Sequence, residues 1–410
     1  MIVVIGGGAA GMMAAVTAAG QGAAVTLLER NRFCGVKLNI TGKGRCNVTN
    51  DCTPQVLMDN MTCNGKFLYS AFSSCSPQQV MAFFEGLGVP LKVERGNRVF
   101  PVSDRAKDIT EALKMQLDKL HVQVLHERAA GILTEGGAVR GVALDGGRTL
   151  AADAVILATG GRSYPRTGSD GDGYRMAQAL GHTVTALRPS LVPLVAAGPV
   201  PGQLEGLSLR NVGLTVRKDG RELYTDFGEL VFTADGLSGP LVLSASAHLG
   251  RGQGFPYALE IDLKPALDRE TLDRRLLRDF SEQQNRDFQN VLSGLLPARL
   301  IPVMVALCGI PPHEKVNSVT KAQREALLSR LRALPFTITG FGPWDEAVVT
   351  SGGVSIREVA PKTMASKLVR GLYFAGEILD VDAYTGGFNL QIAWATGRCA
   401  GLAAAEGANA

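Results

Sequence analysis

The sequence predicts an α/β fold: a Rossmann-like dinucleotide-binding domain that carries an inserted run of short strands and an inserted run of helices. Three observations predict it. A strand, a glycine turn and a small-residue helix open the chain, a second buried strand ends in a glycine pair near Gly160, and the strand–glycine–helix pattern returns at the C-terminus.

Ile2-Val3-Val4-Ile5 is a β-branched run that reads as a buried strand. Gly6-Gly7-Gly8-Ala9-Ala10-Gly11 follows, then a helix from Met12 to Ala19. Gly20-Gln21-Gly22 turns the chain into a second strand, Ala24 to Leu28, ending at Glu29. A bare G-x-G-x-x-G is weak. Here a strand precedes it, a helix follows it, and an acidic residue stands 21 positions beyond Gly8. Gly6 permits the tight turn, Gly8 lets the backbone approach a pyrophosphate, and Gly11 lets the helix pack on the sheet. The helix start at Ala9 and Ala10 offers unpaired N–H groups to phosphates. Glu29 suits ribose hydroxyls and would repel a 2′-phosphate. The motif itself leaves NAD and FAD both open.

With 410 residues, 46% hydrophobic and 20% charged, the chain has ordinary globular composition and room for two or three domains. Lys+Arg 42 against Asp+Glu 38 leaves a dispersed +4, which argues against a nucleic-acid partner. Met1 to Leu28 is uncharged but holds six glycines and no basic flank, so neither a membrane span nor a signal peptide is expected, and the location expected is cytoplasmic. Seven cysteines make no C-x-x-C pair and five histidines none at ligand spacing, so no metal is expected.

Gly35 to Asn50 reads as a polar, glycine-rich loop. Helical patterns follow at Phe67 to Ser73, at Ser76 to Gly86 with Ser76-Pro77 as cap and first residue, and at Ala106 to Leu120. The period then switches to two. His121 to Leu125, Ala130 to Thr134, Val139 to Leu144 and Thr149 to Ala152 read as strands before the buried run Ala154-Val155-Ile156-Leu157. From Arg188-Pro189 to about Lys264, short strands with close turns suggest a small barrel or sandwich. Asp268 to about Leu334 is helical, with an apolar stripe of Leu272, Leu276, Leu277 and Phe280 and a capping box at Thr320 and Gln323. The expected division is 1–190 and 351–410 for the nucleotide-binding domain, 191–265 with 335–350 for a β-barrel insert, and 266–334 for a helical insert.

Two segments turn the dinucleotide into FAD. Leu157-Ala158-Thr159-Gly160-Gly161 resembles the second fingerprint of the glutathione-reductase-type FAD domain, where small residues end a strand beside the cofactor. Gly371 to Glu377 reads as a strand ending at Gly376, with Glu377 placed for ribityl hydroxyls. Thr385-Gly386-Gly387-Phe388-Asn389-Leu390 then opens a last helix whose N-terminus would face the flavin N1–C2=O edge. An NAD-only domain has no use for that element. The chain carries one such glycine fingerprint, so FAD is expected as a tightly held, non-covalent resident and NAD(P)H as a transient reductant. The stretch Lys37 to Asn50, with Lys37, Thr41, Gly42, Gly44, Arg45, Cys46 and Asn47, can drape N–H groups along the flavin and supply a cation for an enolate-like intermediate. Arg30, Ala129 and Asp380 complete the expected cofactor set.

Several blocks carry a family resemblance. They are Gly42-Lys43-Gly44-Arg45-Cys46-Asn47-Val48-Thr49-Asn50, Val99-Phe100-Pro101-Val102-Ser103-Asp104 and Ala158-Thr159-Gly160-Gly161-Arg162-Ser163-Tyr164-Pro165. Further along come Gly236-Leu237-Ser238-Gly239-Pro240 and Gly376-Glu377-Ile378-Leu379-Asp380-Val381-Asp382. In this order, over nearly the whole chain, they resemble the bacterial BaiN/YhiN-type NAD(P)/FAD-dependent oxidoreductases, a group that includes enzymes linked to reduction of dehydro-bile acids. The resemblance implies a glutathione-reductase-like FAD domain with inserted barrel and helical domains. Two departures stand in loops: Lys43 where many members have glycine, and Ala383-Tyr384 in place of a glycine-containing turn.

The catalytic candidates are Arg45 as a cation, and Tyr164 and Tyr384 by family position as phenols able to protonate an enolate oxygen. The expected function is an FAD-dependent oxidoreductase that carries hydride from NAD(P)H to a conjugated C=C of an apolar small molecule, steroid- or bile-acid-like by the resemblance. An O2-using amine or aminoketone oxidase and a non-catalytic flavin-binding protein are the alternatives.

Overall fold

The computed structural model describes residues 1–409, which form two compact units: Met1–Ser190 with the chain from Pro343 onward, and Leu191–Gly342. In the first unit, five parallel strands run in the order Leu372–Phe374, Ala154–Leu157, Ile2–Ile5, Val25–Leu28, Gln123–Leu125. The three inner strands are buried at every position, which is why they read as continuous apolar runs and not as alternating ones. From Ile2–Ile5 the chain adds Val25–Leu28 on one flank and later Ala154–Leu157 on the other. The loops leaving the C-terminal ends of Ile2–Ile5 and Ala154–Leu157 diverge at this switch point, where open α/β sheets take their ligands. Helix Ala9–Gly20 packs on the C-terminal helix Phe388–Asn409 so closely that a Cβ at Gly397 would lie 2.4 Å from the Ala10 carbonyl oxygen.

Ala129–Glu135, Ala138–Leu144 and Thr149–Ala151 form an antiparallel meander. His121, expected in a strand, instead turns with φ 54° after helix Ala106–Lys119, and Gln123–Leu125 becomes the edge of the parallel sheet. The expected loop at Gly35–Asn50 is partly helical: Val36–Gly44 is wound as far as Ile40 and broken by non-helical backbone at Thr41, Gly42 and Lys43. Asn39 anchors the wound part to the helix Ala106–Lys119, its Oδ1 accepting from the Thr110 hydroxyl at 2.8 Å. Tertiary contact here overrides weak local propensity.

In the second unit, Leu194–Ala196, Gly236–Ser238, Arg221–Phe232, Ser208–Lys218, Tyr257–Asp262 and Leu334–Phe341 close into an antiparallel barrel, not a sandwich. Between the last two strands the chain forms helices that include Arg269–Glu282, Ile301–Cys308 and Lys321–Arg332, the last with the Thr320–Gln323 capping box. Leu272, Leu276 and Phe280 are buried. Leu277 is 44% exposed and leaves the expected stripe, because one residue is about 100° of helix rotation. Residues 343–350, expected in the barrel, belong to the first unit, where Val349–Ser351 pairs antiparallel with Arg188–Ser190.

One buried group in the first unit couples fold to pH. His182 Nε2 lies 2.8 Å from Ser366 Oγ, Nδ1 faces the Glu358 carboxylate at 3.2 Å, and the ring meets Phe374 edge-on. Burial outweighs the carboxylate and holds the imidazole below its ordinary 6.5. The unfolded chain therefore takes the proton first. This contribution to stability is complete above pH 6.5 and is lost as pH falls from there through the folded value. The melting temperature should drop between about pH 7 and about pH 5, and less steeply in His182→Gln. Equal slopes in the two proteins would remove His182 from the account.

Candidate functional site

A cavity of about 1290 Å³ opens in the first unit at the C-terminal ends of Ile2–Ile5 and Ala154–Leu157. Ordinary small-molecule pockets hold roughly 300–1,000 Å³, so this one has room for a dinucleotide and part of a second molecule. Gly6, Gly8, Ala9 and Ala10 line one end. Gly8 caps helix Ala9–Gly20 without a side-chain hydrogen bond, and a Cβ there would meet nothing within 4 Å. The first-turn N–H groups are thus left to a ligand. Glu29 also lines this end and is 7% exposed. Its Oε2 accepts from Gly7 N–H at 2.9 Å, and Oε1 from the Asn31 backbone and side-chain amides at 2.8 Å each. Burial pushes this carboxyl above its usual range against those hydrogen bonds. Arg30 pairs with Asp170 at 2.7 Å and Asp172 at 3.3 Å, and Ala129 lies on the same wall.

On the same wall, Lys37 Nζ donates to Ser163 Oγ at 2.7 Å and Glu377 Oε2 at 2.8 Å. Ser163 donates to Glu377 Oε1 at 2.9 Å, which also accepts from Thr350 N–H at 2.8 Å. Glu377 therefore lines the cavity with both oxygens already engaged by the protein, where the sequence suggested a free ribityl acceptor. Ser163, in a loop, and Thr350, in the three-residue strand Val349–Ser351, lie in no pattern that could have marked them. Ala158, Thr159 and Gly160 line the same region. Thr159 Oγ1 and Asn47 Oδ1 are buried with no hydrogen-bond partner among the described residues, and both residues line the cavity. An unpartnered buried polar atom costs about 1–3 kcal/mol. A cofactor rich in donors and acceptors, as FAD is, fits that deficit and the uncapped helix together.

Thr41, Gly42, Arg45 and Asn47 line the cavity further along, as do Gly386, Gly387, Phe388, Asn389 and Leu390. A Cβ at Gly387 would fall 2.3 Å from the Thr49 carbonyl oxygen. The Asn50 amide donates to Gly386 O at 3.0 Å and to Gly96 O at 2.9 Å. Asn389 holds the same turn through Ala383, accepting from its N–H at 3.0 Å and donating to its carbonyl at 2.8 Å. The start of helix Phe388–Asn409 is thereby fixed against the cavity.

Several expected residues stand elsewhere. Gly11 sits behind the wall, where a Cβ would fall 1.8 Å from Gly6 O. Gly44, Cys46, Gly376 and Asp380 are off the wall as well. Cys46 is fully buried, turned inward at φ 58°, and burial pushes its thiol up to about 12, so it is no flavin-side thiolate. Arg45 lies 4.1 Å from the Phe100 ring centroid with its charge committed to Glu94 and Asp104, and is not a free cation. Tyr164 lines the cavity; Tyr384 packs against the core instead. Asn60, Asn97 and Arg98 line it without having been singled out, as do Asn50 and Phe100, which the sequence marked only as parts of longer blocks. Their signal was faint, because the strand that presents Arg98 and Phe100 pairs with a half-exposed one, Leu91–Glu94.

The strand order, the glycine turn into an uncapped helix and the dinucleotide-sized cavity define an FAD-binding Rossmann-type oxidoreductase. The chain belongs to the HI0933-like protein Rossmann domain family, which matches residues 1–403. It is 34% identical over 414 residues to the 3-dehydro-bile acid delta(4,6)-reductase of Clostridium scindens, covering 98% of each chain. It is 30% identical over 396 residues to the ribosomal RNA dihydrouridine synthase of Escherichia coli, covering 96% of this chain and 95% of that one. Among solved structures it is similar to 3-ketosteroid-delta4-(5alpha)-dehydrogenase from Rhodococcus jostii RHA1 in complex with 4-androstene-3,17-dione, with a TM-score of 0.52, 19% identity and coverage of 98% and 96%. That likeness is one of fold. Among the described residues, no helix is long and apolar enough to cross a membrane, and no group of three or more His, Cys, Asp or Glu could hold a metal ion.

Proposed function

We propose that this chain saturates a carbon–carbon double bond conjugated to a carbonyl, on an apolar small molecule of steroid-like shape, with NAD(P)H as the hydride source. The cavity carries the reading. Its wall also includes Ile40, Val56, Val348 and Val381, apolar side chains suited to a fused-ring body. The relatives support the reaction type, since a delta(4,6)-reductase of a 3-dehydro compound and a dihydrouridine synthase both saturate such a bond.

When bound, FAD would supply the two-electron chemistry that links a nicotinamide to the enone. The protein's part is to hold and to protonate. The glycine turn and helix Ala9–Gly20 would hold the FAD phosphates, and the Lys37–Glu377 pair, bonded to Ser163, fixes the wall. Helix Phe388–Asn409 directs the partial positive charge of its N-terminus toward the cavity. Tyr164 gives up its hydroxyl proton to the enolate left by hydride addition, so that one hydride and one proton saturate the bond.

Anaerobic mixing of the yellow holoprotein with NADH or NADPH should bleach the flavin band within seconds, and a 3-oxo-Δ4-steroid should restore it. Failure of both nicotinamides to bleach it sinks the reading. Tyr164→Phe should slow reoxidation by the enone about 10²-fold, far more than it slows bleaching. Equal effects on both half-reactions would deny Tyr164 the proton. A second reading, with the uracil ring of an RNA as acceptor, draws on the dihydrouridine synthase relative. Reoxidation by a uridine-containing RNA and not by the steroid would select it.

A further inference from the structure

We infer that Arg98 and Lys43 recognise a carboxylate carried by the substrate of this cavity, an inference that rests on the enone reading above. The observations meet at Phe100. The Arg45 and Arg98 guanidinium carbons lie 4.1 and 5.7 Å from its ring centroid, and a Cβ at Gly42 would lie 3.3 Å from its edge, which puts the loop bearing Lys43 against the same ring. Arg45, Arg98 and Lys43 all line the cavity. Their charges are not equivalent. Arg45 is neutralised by Glu94 and Asp104, whereas Arg98 spends Nε on the Arg95 carbonyl at 3.0 Å, and among the described residues no carboxylate pairs with Arg98 or Lys43. Lys43 is exposed, on left-handed backbone at φ 60°. A lysine holds that conformation at a cost glycine would not carry.

Their place fits a substrate site. Arg98 is paired in register with Asn50, whose amide holds Gly386, so Arg98 stands beside the turn that opens the last helix. Ile40 and Val56, 45% and 40% exposed, belong to the same cavity wall. Two uncovered apolar side chains with two unpaired cations match an amphipathic molecule, a fused-ring body ending in a carboxylate. Of the cations on this wall, Arg30, Lys37, Arg45 and Arg128 are already paired with carboxylates, which leaves Arg98 and Lys43, fewer than an RNA backbone asks for.

The test is a titration of the oxidised holoprotein, read by perturbation of the flavin absorbance, with a 3-oxo-Δ4 C24 steroid acid and its methyl ester. The acid should bind about tenfold more tightly than the ester. Arg98→Gln and Lys43→Gln should each shrink that ratio several-fold, and the double variant should erase it. Lys107→Gln, an equal loss of charge on helix Ala106–Lys119 and off the cavity wall, should leave the ratio unchanged. Equal binding of acid and ester to the wild type overturns the inference. So does an Arg98→Gln effect confined to NADH or NADPH, which would assign the cations to the dinucleotide phosphates, or Arg98-dependent binding of an RNA oligonucleotide without that of the acid. Because binding is read without turnover, a tight, Arg98-dependent acid that is never reduced would refute the enone reading alone. An enone reduced without preference for the acid would refute this inference alone.

Discussion

A Gly11→Ala variant is expected to purify nearly free of flavin, seen as loss of the visible flavin absorbance relative to that of the protein. The added methyl would lie 1.8 Å from the carbonyl oxygen of Gly6, a backbone atom that no rotamer change can move. Relief requires helix Ala9–Gly20 to slide off the glycine turn. It cannot slide freely, because a Cβ at Gly397 already would lie 2.4 Å from Ala10 O, so the C-terminal helix backs it without slack. Overpacking of this kind costs about 1–3 kcal/mol. The larger loss is in geometry, since N–H groups displaced by about 1 Å can cost about 10²-fold in a positioned interaction. Gly20→Ala on the same helix is the control. A Cβ there meets nothing within 4 Å, so flavin content should hold and stability should rise by about 0.5–1 kcal/mol. Full flavin content in Gly11→Ala would show that the close approach is not what seats the cofactor.

The parts of this molecule that were legible in its sequence are those where one physical demand dominates. Ile2–Ile5 and Ala154–Leu157 are buried on both faces, so their residues are uniformly apolar and the strands announce themselves. The glycine turn is legible because backbone contact at Gly6 and Gly11 admits no other residue type. Val36–Ile40 was not, since Lys37 and Asn39 are held in a helical turn by partners far along the chain, Glu377 and Thr110. Cys46 and Arg45 show the same limit from within one loop. Irregular backbone has no period from which to tell an inward side chain from one on the cavity wall, and φ 58° at Cys46 decides the matter locally. Glu377 was placed in the right region with the wrong partners, because Ser163 and Thr350, which claim its oxygens, are separated from it by 214 and 27 residues.

That network yields the second large effect: removing one partner of the Lys37–Glu377 pair should cost more than removing both. The two side chains are 22% and 21% exposed, and the 2.8 Å ion pair is reinforced by Ser163 and the Thr350 amide. Breaking a fully buried pair costs about 3–5 kcal/mol, chiefly because a charge is left desolvated. Here water reaches a fifth of each side chain, so about 2 kcal/mol is expected for Lys37→Met, which strands a carboxylate, and for Glu377→Gln, which strands an ammonium. Lys37→Met combined with Glu377→Gln leaves no charge unpaired and keeps an acceptor for Ser163 and Thr350. Its stability should return to within about 1 kcal/mol of the wild type. Two single losses of about 2 kcal/mol each then give a coupling of about 3 kcal/mol in a double-mutant cycle of Lys37→Met and Glu377→Gln, followed by urea unfolding of the holoprotein. The pair also joins two separated stretches of the cavity wall, at Lys37 and Glu377, with Ser163 bonded to both behind it, so each single variant should release FAD faster than the double variant does. Additive losses with no coupling would mean that the wall is held by packing alone and that the charges there are incidental.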